Sequence, residues 1–277
     1  MSSLGRSAIR WNDATAAVCL LLPLAAVAAH ARDRGADGHF ERRESSHFVL
    51  LQDVDIDESG GLRGSRRFEQ QVLASLEDGF DGLDAYLGLR PRRKIDVMVY
   101  DPLVFDRQFA GLFRFAAAGF YQGIIRVRGD DRFTWQLSRV LHHELVHAAL
   151  DRVTPSFVYP AWLNEGLAEW FEARTHGKRR LDARELHALA RARDLGQLLP
   201  LAALEAPSFA RMAGGTAQLA YLQSYGFVEH LAHRHGERSL RDFCLELVRT
   251  GDLDRTLARV YRADLQRLFA DFAADLG

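Results

Sequence analysis

Apolar residues at Phe68, Val72, Leu76, Phe80, Leu83 and Leu87 recur every three or four positions, the period of a helix face, and Gly88 stands where that helix should stop. Before it, His47 to Leu51 is a short, partly β-branched apolar run suited to a strand, and the acidic, glycine-rich stretch from Asp53 to Gly64 reads as a loop. Ile95 to Tyr100 alternates as a second strand, and a short helix is predicted near Val104 to Ala110. Gly119 to Val127 has strand composition with glycines at both ends, and reads as one edge strand along a cleft. The next helix, from about Arg132 to Asp151 with Asp130 or Asp131 as cap, turns Leu137, Val140, Leu141, Leu145 and Ala148 inward. Thr154 to Pro160 is a proline-containing connection. Beyond it, Ala161 to Arg174 is helical, carrying Trp162, Leu163, Leu167 and Phe171.

Helical periodicity then dominates, at Ala183–Arg193, Thr216–His235, Ser239–Thr250, Leu253–Tyr261 and Asp264–Asp275, with Gly236 and Gly251 as breaks. The order of elements implies an α+β fold: a small N-terminal mixed sheet with helices, followed by a mostly α-helical C-terminal part. Folded structure is expected from Ser46, as one domain over 46–277. That domain divides into an α/β part (46–130), a central helix pair (131–175) and a helical part (176–277).

The N-terminal residues follow a different pattern. Arg6 and Arg10 precede an uncharged run from Ala14 to Ala29, ending in Ala29-His30-Ala31. That is the form of a secretory signal cleaved after Ala31, with 32–45 as a flexible lead-in and export to the periplasm or the medium as the expectation. An uncleaved membrane anchor is the alternative. Pro23 and the shortness of the run count against it, and no stable insertion is expected after cleavage. Cys244 is then alone in the mature chain, on an apolar helical stretch where a buried thiol is expected.

A net charge of -1, from 36 basic and 37 acidic residues, gives no global field toward nucleic acid, and none is expected as a partner. The chemistry is concentrated at His143-Glu144-Leu145-Val146-His147. Histidines four apart share a helix face and can converge on one divalent cation, while Glu144 points into the adjoining cleft. A catalytic zinc takes three protein ligands and keeps one position open, and Glu165 on the following helix can supply the third. His142, about 100° around the helix from His143, stays outside the ligand set. His230, His233 and His235 do not share one face and read as a polar helix end.

Around these residues the chain resembles the gluzincin metallopeptidases, thermolysin-like and aminopeptidase-like enzymes, and most closely the small bacterial peptidase-MA-like domains. The resemblance rests on His143-Glu144-x-x-His147, on Trp162-Leu163-Asn164-Glu165-Gly166-Leu167-Ala168-Glu169, and more weakly on Ala220 to Phe227. It implies one zinc ion on His143, His147 and Glu165, and Glu144 as general base. Glu169 is then expected as the carboxylate that orients a zinc histidine, while Glu172 fits a solvated helix position. It also implies an oxyanion-stabilising side chain on a downstream helix, for which Tyr221 is preferred and Tyr225 is the alternative. A peptide or protein substrate follows. Gly119 to Val127 lacks the acidic residue with which aminopeptidase-like members hold a free amine, which favours an endopeptidase. Two other readings stand beside this one: a catalytically inactive, zinc-binding scaffold domain of the cell envelope, and a zinc hydrolase acting on a non-peptide amide.

Overall fold

The computed structural model describes residues 40–54, 63–112 and 117–276. The signal segment and most of the lead-in therefore lie outside the described residues, as does most of the Asp53–Gly64 loop. Five strands form one sheet in the order β1-β2-β3-β5-β4. They are β1 (Glu41–Glu44), β2 (Phe48–Asp53), β3 (Ile95–Tyr100), β4 (Gly119–Tyr121) and β5 (Ile125–Arg128). The central β2-β3-β5 set is parallel, and the two outer strands pair antiparallel.

Two expectations are corrected at this level. Order begins before Ser46, because β1 zips onto β2 from Glu41↔Gln52 to Glu44↔Val49. The Gly119–Val127 run is a hairpin instead of one strand: Gly123 takes φ +73° at the turn, a conformation glycine adopts without cost. Of the two hairpin strands only β4 is at the edge, and β5 lies inside the sheet.

The two faces of β3 show how the sheet is packed. Ile95, Val97 and Val99 enter the main core beneath the helices, while Met98 and Tyr100 join Phe105 and Phe120 in a smaller aromatic cluster on the opposite face. That second face is covered by α2 (Pro102–Gln108), capped by Asp101. The first is covered by α1 (Arg63–Gly82) and α3 (Trp135–Val153). The predicted first helix is borne out with one refinement: its last turn, Leu83–Leu87, is π-helical, and Gly88 ends it at φ +69°. Tyr86 in that turn sets its ring edge-on to Trp170 and Phe171 of the next layer.

α3 starts later than expected. Asp130 bonds only the N–H of Asp131, and Thr134 is the cap, its hydroxyl accepting from the Leu137 N–H at 3.2 Å. α4 (Ala161–Thr175) runs back antiparallel to α3, as the pairs His147–Asn164, His143–Glu172 and Ser138–His176 show. α7 (Gly214–His235) packs closely on α4. Around it lie α5 (Ala183–Asp194), the single turn α6 (Leu201–Leu204), α8 (Glu237–Thr250), α9 (Leu253–Tyr261) and α10 (Leu265–Ala274). The α+β architecture and the helical C-terminal part agree with the sequence pattern; α6 was not foreseen. No described helix is long and apolar enough to cross a membrane.

Candidate active site

His143, Glu144 and His147 sit in the middle of α3, where residues 141–150 are all buried. Glu165 comes from the second turn of α4 and is 1% exposed. The antiparallel crossing brings its Oε2 to 3.4 Å from His143 Nε2 and 3.5 Å from His147 Nε2. Two donors each about 2.1 Å from one tetrahedral zinc stand about 3.4 Å apart, so this triangle fits the ion. His143 Nε2 and Glu165 Oε2 make no hydrogen bond among the described residues, although both are buried. Buried polar atoms are rarely left so, and a bound cation would satisfy them.

The opposite nitrogens are held from behind. His147 Nδ1 lies 3.0 Å from Asn164 Oδ1, and His143 Nδ1 lies 3.3 Å from Glu172 Oε2. With Nδ1–H donating to these acceptors, each Nε2 presents its lone pair to the ligand triangle. Glu172 is buried and ion-paired with Arg139, so the solvated reading of this residue is corrected. The expected partner, Glu169, stands 3.9 Å from His143 Nδ1, beyond hydrogen-bond reach. Glu172 is thus the nearer carboxylate to the nitrogen for which Glu169 was expected, and Asn164 faces the His147 nitrogen for which no partner was expected.

The electrostatics follow from this packing. Burial would lower the His143 imidazole, but Glu165 and Glu172 outweigh it and lift the group to about 10. Burial opposes ionisation of Glu165, yet both imidazoles hold its carboxyl below the usual range. Burial also pushes Glu144 up to about 7, only partly opposed by the two histidines. Neither Glu144 oxygen has a hydrogen-bond partner among the described residues. A carboxylate poised near neutrality and unengaged is suited to accept a proton.

α7 supplies the two tyrosines. A Cβ on Gly166 would meet Ser224 O at 2.6 Å and Val228 Cγ2 at 2.7 Å, so the two backbones touch at this glycine. Trp170 Nε1 donates to Glu229 at 3.0 Å, so α4 and α7 ascend in parallel. Tyr221 is three residues before Ser224, about 60° around α7 from it. Its ring is buried edge-on to Phe209. Tyr225 is rotated further toward α5 and lies under Lys178 Nζ at 5.3 Å, with burial raising its hydroxyl far above the ordinary value.

β4 forms one wall beside α3: Gly119 packs on Val140, and Tyr121 Oη donates to Asp151 at 2.6 Å. A cavity of about 470 Å³ at the start of α3 is lined by Phe105, Asp106, Phe109, Arg128, Asp130, Leu137 and Val140 among others. Val140 is three residues before His143 and close to its helix face.

His142 is excluded from the ligand triangle as expected: its ring packs against Gly79, Nε2 is 2.8 Å from Ser75 O, and Nδ1 is 2.9 Å from Thr175 Oγ1. Burial holds it down to about 4. Of the second histidine group, His230 sets its ring edge-on to Phe272 and His235 lies tilted against Tyr261, apart from any candidate metal cluster among the described residues.

No curated protein is similar enough to match the chain. A family model described as the Peptidase MA superfamily matches residues 76–276, a span that begins inside α1 and takes in α3, α4, α7 and every residue of the site just described. With that match over more than half its length, the chain belongs to the peptidase MA superfamily.

Proposed function

We propose that this protein is a zinc-dependent gluzincin peptidase that cleaves internal peptide bonds. The observation that carries the reading is the convergence of His143 Nε2, His147 Nε2 and Glu165 Oε2 at 3.4–3.5 Å beside a buried, unengaged Glu144. His143, His147 and Glu165 would hold the zinc, which would supply Lewis acidity, lowering the pKa of a bound water to about 7 and polarising a carbonyl.

The remaining steps belong to the chain. Glu144 accepts the proton of the attacking water at its carboxylate and returns it to the departing amine. Tyr221 donates a hydrogen bond to the developing oxyanion, with Tyr225 as the alternative donor. β4 pairs its outer edge with the backbone of an extended substrate. The segment from Gly119 to Val127 carries no carboxylate to hold a free amine, which supports endopeptidase action. Export after cleavage at Ala31 is part of the same proposal.

The test is metal content together with casein cleavage for wild type and Glu144→Gln. One zinc per chain, with cleavage about 10²- to 10⁴-fold lower in the variant, is expected. Stoichiometric zinc with no cleavage of casein or of a peptide library would sink the peptidase reading and leave a zinc-bearing scaffold. Tyr221→Phe should lower kcat by about 10²- to 10³-fold, and Tyr225→Phe should not. The reverse outcome moves the oxyanion role to Tyr225.

A further inference from the structure

On the far side of α3, the loop that leads into β3 meets the last turns of α3 and α8 around a cavity of about 500 Å³. Arg152 lies nine residues past His143, half a revolution around the helix and about 13 Å along its axis, so this cavity is separate from the metal site. Its lining holds four arginines, Arg90, Arg92, Arg93 and Arg152, and no carboxylate; Leu89, Val153 and Val248 supply apolar surface. In a chain with almost equal numbers of acids and bases the arginines gather on this lining, while Asp81 and Asp84 lie on a neighbouring cavity that Arg90 and Arg92 also line.

Ordinary structural duties account for only part of it. Arg90 pairs with Asp84, and Arg152 complements the C-terminal end of α3 while Asp96 stands 3.9 Å away. Arg92 and Arg93 are exposed on a loop, at no helix terminus, and neither has a carboxylate partner among the described ion pairs. Two adjacent cations facing a concavity repel each other, and an anion between them would relieve that. Guanidinium forks match phosphate oxygens in pairs, and the volume is that of a small-ligand site instead of a groove for a folded partner.

We propose that this cavity is a binding site for a phosphate-bearing anion, held by Arg92 and Arg93 with Arg152 behind them, and that its apolar lining receives the carbon body next to the phosphate. A free phosphate compound and a phospholipid headgroup share that chemistry. They are separated by titrating the full-length protein with pyrophosphate in calorimetry, and by sedimenting it with phosphatidylglycerol–phosphatidylcholine vesicles against phosphatidylcholine alone.

Binding of either probe, weakened at least tenfold in R92Q/R93Q and falling steeply with salt, is the expected result. Pyrophosphate alone binding assigns a soluble ligand, and anionic vesicles alone assign a lipid. Both substituted side chains are exposed, so the variant should keep the wild-type thermal midpoint, which separates lost binding from lost folding. Binding unchanged in R92Q/R93Q overturns the proposal. So does binding of neither probe, and so does binding of polyglutamate while both phosphate probes fail, which would make the cavity a contact for an acidic polypeptide.

Discussion

His143 lies between two carboxylates, Glu165 at Nε2 and Glu172 at Nδ1, and in the metal-free chain this favours a proton on a fully buried ring. A cation at Nε2 answers the same negative charge. Glu172→Gln should therefore weaken zinc binding about 10- to 100-fold in a chelator competition, and Glu169→Gln should weaken it much less. Equal losses would return the orienting role to Glu169. The convergence of His143, His147 and Glu165 was legible because histidines four apart and a carboxylate on the next helix are a local pattern. Glu172 was not, although its geometry is simple. Seven residues are two turns, which bring Glu172 back to within about 20° of Glu165, whereas Glu169 is about 40° away. Which of the two meets His143 depends on how α4 crosses α3, and no spacing within one helix encodes that. Cys244 was readable: it is buried, and its thiol is pushed up to about 12 from 9.0. At pH 8 iodoacetamide should leave Cys244 unlabelled in the native protein and modify it once urea unfolds the chain; labelling of Cys244 in native buffer would mean that α8 opens.

Among the elements, α4 and α7 are joined most closely, and Gly166 lets them touch. Gly166→Ala puts a methyl group 2.6 Å from a carbonyl oxygen that cannot move alone, so α4 must shift and carry Glu165 with it. A loss of about 1–3 kcal/mol in urea unfolding is expected, together with weaker zinc binding. An alanine variant with wild-type stability and zinc affinity would show that the contact is not tight in solution. The ends of α4, α7 and α9 were placed from sequence within about two residues, because prolines and glycines mark most of them. Their facing was not readable: α4 is buried along nearly its whole length, so its apolar residues surround it and no stripe points to a partner. The hairpin was missed for the opposite reason. Tyr121-Gln122-Gly123-Ile124 has strand composition throughout, and only the positive φ of Gly123 turns it.

At the scale of the molecule, the metal triangle joins α3, which packs on the sheet, to α4, which packs on the helical part. A ligand that binds only the folded form stabilises both halves at once. Zinc at a hundredfold excess over its dissociation constant should add about 2.7 kcal/mol, raising the thermal midpoint, and a chelator should reverse the shift. A midpoint indifferent to both would mean that no metal is held. The α+β order was legible because the strands cluster before the helices. The parallel pairing of β2, β3 and β5 was not, since it depends on contacts distant in sequence.

The two rims of the sheet also bear on how the protein behaves when concentrated. Unpaired strand rims invite chains to stack edge to edge into insoluble fibrils, and this fold blunts its two rims differently. β1 is Glu41-Arg42-Arg43-Glu44, exposed throughout and carrying charge at every position. β4 has no charge to protect it, but only three residues. A rim that short can hold one brief extended segment and offers too little ladder to seed a fibril, so the open side of the sheet stays usable without becoming adhesive.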